Sequence, residues 1–113
     1  WRYSGCDATV VMSGGEGFCY PVAESLSCGT PVVTGSYGAA AELASHLVNP
    51  ITSVIDTSHN VRRAVYSADD VATRLIAAVH DGKEPERYVA SVAHLDWNKL
   101  GLVWKKWFRK GLQ

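Results

Sequence analysis

No run in the 113 residues approaches the ~20 consecutive apolar side chains that a membrane-spanning helix requires, and no secretory leader opens the chain. No membrane-spanning helix is expected within these residues, and the expected location is a reducing cytoplasm, its membrane surface included. Net charge is missing too. Eleven Lys and Arg balance eleven Asp and Glu, so no overall field draws in nucleic acid, although the C-terminal end is locally basic. Cysteine is scarce and odd in number: Cys6, Cys19 and Cys28 follow no repeated spacing, which argues against a disulfide framework and a zinc site. The four histidines, His46, His59, His80 and His94, stand at no ligand spacing with another ligand type, and no Ser/His/Asp or Cys/His arrangement is present. At this length the chain is one small domain, able to bury ~65% of its unfolded surface.

What the sequence does have is concentrated between Gly14 and Glu24. Ala8-Thr9-Val10-Val11-Met12 is a short apolar, β-branched run that reads as a buried strand. Ser13-Gly14-Gly15-Glu16-Gly17-Phe18-Cys19 follows as a loop, and a helix is expected from Pro21 to about Cys28. Proline suits a first helical position because its missing N–H would be unpaired there, and Gly29 suits the stop. The order strand, Gly-rich loop, helix N-terminus aims unpaired amides and the positive end of a helix dipole at one point, which favours an anion such as a pyrophosphate. Two carboxylates flank that point: Glu16 in the loop, and Glu24 about 4.5 Å along the axis past Pro21. Carboxylates repel phosphate but accept hydrogen bonds from hydroxyls. A ligand with hydroxyls on either side of a diphosphate, a nucleotide sugar, therefore fits the pattern. Val22 and Leu26, at i and i+4, should face the sheet and leave Glu24 pointing elsewhere, either to a ligand or simply to solvent.

Glu16 and Glu24, with seven residues between them inside Gly-Glu-Gly-Phe and followed by Glu24-Ser25-Leu26-Ser27-Cys28-Gly29-Thr30-Pro31-Val32-Val33, resemble the E-x7-E region of family 4 retaining glycosyltransferases, which have the GT-B fold. The resemblance is strong from Asp7 to about Glu42, fair to His80 and weak beyond. It implies the distal, donor-binding half of a GT-B C-terminal domain: a partial Rossmann-like α/β unit with a short parallel sheet flanked by helices, the N-terminal domain and the first strands being absent. It implies metal-independent transfer, in line with the lack of an Asp-x-Asp motif, and no cofactor other than the nucleotide-diphosphate sugar that is the donor substrate. Glu16 would carry the catalytic role by accepting from donor-sugar hydroxyls, Glu24 would accept from the ribose, and Gly15, Gly17, Phe18, Cys19 and Tyr20 would line the donor site, their amides facing the diphosphate. Cys19 and Tyr20 depart from the commonest family form, which has glycine and an aliphatic residue there. Cys19 is read as a packed thiol rather than a reactive one.

Downstream, Pro31–Thr34 reads as a second buried strand, Thr34–Gly38 as another strand-to-helix loop on the same crevice, Ala39–Ser45 as a helix and His46–Pro50 as a third extended piece. Tyr37 would either stack on the donor or pack on its own domain. Ile51–Asn60 lacks a period and reads as loop; Val61–Tyr66 reads as a strand whose Arg62 and Arg63 either meet phosphates or, as the simpler reading, form a solvated pair at the strand edge. The helix from about Asp69 to His80 should bury Val71, Leu75, Ile76 and Val79. Two C-terminal helices complete the chain, one from Glu84 through Leu95 and one from Asp96, so residues 1–83 form the nucleotide-sugar-binding half-domain and 84–113 an amphipathic appendage. The stripe Trp97, Leu100, Trp104, Trp107, Phe108 opposes Lys99, Lys105, Lys106, Arg109 and Lys110. It suits three fates: packing on the chain's own core, crossing to an N-terminal domain, or lying at an anionic membrane surface.

Two functions fit these features. One is the donor-binding part of a retaining transferase, with a nucleotide-sugar donor, an acceptor of unspecified class (glycan, lipid-linked or small molecule) and no catalysis by the 113 residues alone. The other is a non-catalytic interaction module that forms a homo-oligomer or recruits a partner through the exposed edge of its first strand.

Overall fold

A computed structural model describes residues 2–111; Trp1 lies outside them. The central element is a three-stranded parallel sheet, β1 (Thr9–Val11), β2 (Val32–Gly35) and β3 (His46–Val48), in the order β1-β2-β3. Thr9 sits opposite Val32, and Val33 opposite His46. Parallel neighbours need crossovers, supplied here by helix α1 (Tyr20–Ser27) and by the short helix α2 (Ala40–Leu43). This is the partial Rossmann-like α/β arrangement that the family resemblance implies.

Side chains alternate along a strand, so Val32 and Val33 of the fully buried β2 enter different layers. Val32 joins Val22 and Leu26 of α1 together with Tyr88 and Val92 of α4 (Pro85–Val92). Val33 joins Val48 and Ala78, the latter from α3 (Ala68–Asp81), with Val71 and Leu75 alongside. Buried polar groups tie the layers together. Ser25 donates to the Thr9 hydroxyl, Thr30 donates to the Tyr3 carbonyl at 2.8 Å, and buried His46 meets Asp81 at 3.1 Å.

Three elements differ from expectation. The stretch Ile51–Asn60 is no loop: β4 (Thr52–Asp56) pairs antiparallel with β5 (Val61–Val65) as a hairpin. Nearly all of β4 is exposed, so it has no buried face to produce a period. The inward stripe of α3 is Val71, Leu75 and Ala78, while Ile76 and Val79 face outward. The helix expected through Leu95 breaks after Val92 into a 3-10 turn at Ala93–Leu95, from which α5 (Trp97–Gly111) projects with no buried residue. Packing of the aromatic stripe on the chain's own core is therefore set aside.

The hairpin is held by Asp56. Its carboxylate accepts from the Ser58 hydroxyl and amide and, at 2.9 and 3.0 Å, from the Arg63 guanidinium. The Ser58 hydroxyl and then Arg63 hold this carboxyl well below the usual carboxylate range. A lowered folded-state value means that the stabilisation is full above the ordinary Asp value of about 4 and is lost only as pH falls through the lower folded one. Asp56→Asn is expected to speed hydrogen exchange of the β4–β5 amides at neutral pH by roughly several-fold, whereas in the parent chain their protection should survive acidification to about pH 4. Unchanged exchange in the variant would show that strand pairing alone holds the hairpin.

Candidate functional site

The loop Ser13–Cys19 leaves the carboxyl end of β1. Ser13 shapes it, its hydroxyl accepting from the Gly15 amide at 3.3 Å and donating to the Gly15 carbonyl at 3.1 Å. Gly14 lets it lie against the hairpin: a Cβ there would stand 3.3 Å from that of Arg63, and the Gly14 carbonyl accepts from the Ala64 amide. The hairpin thus braces the loop.

Cys19 ends the loop as the N-cap of α1, at φ 68, a left-handed conformation that costs most side chains about 1–2 kcal/mol. The expected helix begins one residue early, at Tyr20, with Pro21 inside its first turn. Cys19 makes no side-chain cap; its thiol turns into the core beside Val22 and Leu26, and burial pushes its pKa up. A thiol held neutral is a poor nucleophile, so packing is its role, and the surface keeps only backbone at this position. Among the described residues, no acceptor takes the amides of Gly17, Phe18, Cys19 or Tyr20. With the positive end of α1 behind them, these donors suit an anion.

The two carboxylates open onto different concavities that share no residue. Glu16 is exposed in a cleft of about 570 Å³ with Gly15, Gly17, Tyr37, Gly38 and Arg62. Glu24 is exposed on the flank of α1, in a groove of about 1,050 Å³ with Tyr3, Phe18, Tyr20 and Trp97. The backbone of Phe18 and Cys19 runs between them. Tyr3 donates its phenol to Glu24 Oε2 at 2.9 Å, and that bond pushes the phenol pKa up. Phe18 and Tyr20 meet edge to face, with ring centroids 5.1 Å apart.

All seven residues expected from the sequence therefore border one loop: Glu16, Gly15 and Gly17 on one side, Phe18, Tyr20 and Glu24 on the other, and Cys19 between. Tyr3 and Tyr66 were not foreseen in these positions. Tyr3 reaches Glu24. Arg62, for which a solvated place is the simpler expectation, lines the Glu16 cleft, whereas Arg63 is spent on Asp56. Tyr66 lies under the end of β2, its buried hydroxyl without a partner. Tyr37 leans on the hairpin through a 3.2 Å bond to the Arg62 carbonyl. None of these contacts has a local sequence signal except Arg62, whose pairing strand was hidden. Among the described residues no three His, Cys, Asp or Glu side chains gather as metal ligands.

A family model described as glycosyl transferases group 1 matches residues 2–94. No curated protein and no solved structure matches the chain.

Proposed function

Because the chain belongs to the group 1 glycosyltransferases, whose members move a sugar from a donor to an acceptor, we propose that it is the donor-binding part of a retaining, metal-independent transferase of the GT-B type, using a nucleotide-diphosphate sugar. The observation that carries this reading is the placement of two exposed carboxylates in separate concavities on either side of a turn with free amides. Hydroxyls, diphosphate and hydroxyls again follow one another in such a donor. Glu16 accepts from the donor-sugar hydroxyls, with Tyr37 and Arg62 beside it. Glu24 accepts from the ribose, which takes the place of the Tyr3 phenol. The amides of Gly17, Phe18, Cys19 and Tyr20 face the diphosphate.

In the transfer itself, the bond between the anomeric carbon and the diphosphate oxygen breaks while the acceptor oxygen attacks the same face. The acceptor proton passes to the departing phosphate, and configuration is retained. Negative charge grows on the leaving oxygen, which preorganised amides and a helix dipole stabilise without reorganising. The basic residues that grip the diphosphate in this family are expected upstream, and with them the N-terminal domain.

Calorimetric titration with uridine, guanosine and adenosine diphosphate sugars tests the reading. Loss of a hydrogen bond to a charged group costs about 1.5–3 kcal/mol, so Glu24→Ala and Glu16→Ala should each weaken the preferred donor by about 10- to 100-fold. The free nucleoside diphosphate should separate them, weakening with Glu24→Ala but not with Glu16→Ala. Equal affinity in all three proteins, or no binding even when the upstream half is supplied, would overturn the proposal.

The outermost position of β1, whose Val10 is 41% exposed, favours a second reading as a non-catalytic module that pairs through this edge. Light scattering coupled to size exclusion separates the two: a strict monomer that binds a nucleoside diphosphate rules the module out.

A further inference from the structure

Helix α5 stands apart from the rest of the molecule in both packing and charge. Among the described residues its principal neighbour is the turn Ala93–Leu95. Asp96 starts it, accepting from the Asn98 amide at 2.7 Å. At roughly 100° per residue, Trp97, Leu100, Trp104, Trp107 and Phe108 fall within an arc of roughly 100°. Lys99, Lys105, Lys106, Arg109 and Lys110 fill the opposite side. Trp97, Trp104, Trp107 and Phe108 are 77, 57, 71 and 65% exposed, and Trp104 stacks on Phe108 at 5.7 Å. Large aromatics so placed are unstable in water alone and need a cover.

Charge selects among covers. The helix carries five of the eleven basic residues and none of the eleven acidic ones, which leaves the remainder with six basic against eleven acidic, a net −5. An extended anionic surface therefore attracts this helix and repels the rest of the chain. A second copy would cover the aromatics but leave the five cations of each helix on the outside with no opposing charge. Nucleic acid offers charge but no apolar interior for three tryptophans. An anionic bilayer offers both, with phosphates at the level of lysine and arginine heads and acyl chains just beneath, where Trp and Phe partition.

We propose that α5 is an interfacial anchor that lies in the plane of an anionic lipid surface, its tryptophan stripe inserted and its lysines and Arg109 at the headgroups. At 15 residues the helix is about 22 Å long, enough to lie in the interface and too short to cross it. Trp97 also borders the Glu24 groove, whereas Leu102, Trp104, Lys105, Lys106 and Trp107, the residues that test the anchor, line neither donor concavity, so the anchor is tested separately from donor binding.

The test uses the full 113-residue chain and two sets of vesicles, phosphatidylcholine alone and phosphatidylcholine with roughly a third phosphatidylglycerol. Sedimentation should show binding at least about tenfold stronger to the anionic set, falling as salt is raised. Lipids brominated along the acyl chain should quench the tryptophan fluorescence. Lys105→Glu with Lys106→Glu should weaken binding by more than about tenfold. Trp104→Ser with Trp107→Ser should weaken it comparably and remove most of the quenching, while Leu102→Ser, on the cationic side, should change little. Circular dichroism of each variant checks that the helix persists. Equal binding to both vesicle sets, binding without acyl-chain quenching, vesicle binding lost once the upstream half is supplied and covers the tryptophans, or a stable dimer in which the tryptophans are shielded and vesicles are ignored would each overturn the proposal.

Discussion

Gly29→Ala is expected to lower the stability of the chain by about 3 kcal/mol or more, read as a shift in the denaturant midpoint. Gly29 closes α1 at φ +75. Its amide donates to the Leu26 carbonyl, and the next amide, of Thr30, donates to the Ser25 carbonyl. This is the paired hydrogen bonding of a Schellman stop, which requires a left-handed residue where these bonds cross. A side chain there has a conformational cost of about 1–2 kcal/mol. It also meets α4: an added Cβ would stand 2.8 Å from both the Cα and the Cβ of Pro85. Pro85 opens that helix with a fixed φ, so neither atom can rotate aside, and overpacking of this kind adds about 1–3 kcal/mol. If Gly29→Ala costs no more than the ~1–2 kcal/mol of the left-handed conformation alone, then α4 is not held against α1, and Tyr88 and Val92 do not pack firmly on it.

Gly29 also marks what the sequence alone could reveal. Where an element has one buried face and orthodox punctuation, its residues announce it. Pro21 ahead of Val22 and Leu26, with Gly29 behind, defines α1 to within a residue, and the β-branched runs at Thr9–Val11 and Val32–Gly35 define two parallel strands, although only the second is buried on both faces; β1, read as buried, is an edge strand with Val10 exposed. The hairpin was hidden because β4 buries almost nothing. Its strand character comes from pairing with β5 and from the Asp56 contacts with Ser58 and Arg63, which are long-range or turn-local and leave no hydrophobic period. In α3 the stripe was misplaced for a different reason. Ile76 and Val79 are larger and more apolar than Ala78, yet the helix approaches β2 and β3 closely enough that alanine, not isoleucine, fits at the contact. At Cys19 the residue type signalled burial correctly but gave no sign of φ 68, because local preference argues against that conformation and only the surrounding packing imposes it. The loop and its two carboxylates were therefore readable from sequence, and the walls of their clefts, built by Tyr3 and by Arg62 from distant segments, were not.

Gly35→Ala is expected to cost about 3 kcal/mol, the upper end of overpacking penalties, because an added Cβ would lie within the phenol ring of Tyr66 and the ring must leave its place. Gly35 ends β2, and Tyr66 precedes α3, so the ring wedges between the sheet and the start of the helix. Its hydroxyl is buried without a partner, and burial, with Tyr37 nearby, pushes its pKa up. Tyr66→Phe removes only that unpaired hydroxyl and should be near neutral in stability. Tyr66→Ala in the Gly35→Ala background should leave a smaller additional loss than Tyr66→Ala alone, the signature of a shared space in a double-mutant cycle. The consequence reaches the candidate site. Tyr37 lines the cleft of Glu16 and is braced on the Arg62 carbonyl, so displacing Tyr66 should disturb this wall while leaving Glu16, Glu24 and the amide turn chemically intact. Donor titration of folded Gly35→Ala, well below its unfolding midpoint, should then show weakened binding of the nucleotide sugar with little change for the free nucleoside diphosphate. Equal weakening of both ligands would place the effect in the turn itself, and no weakening would remove Tyr37 and its support from the donor site.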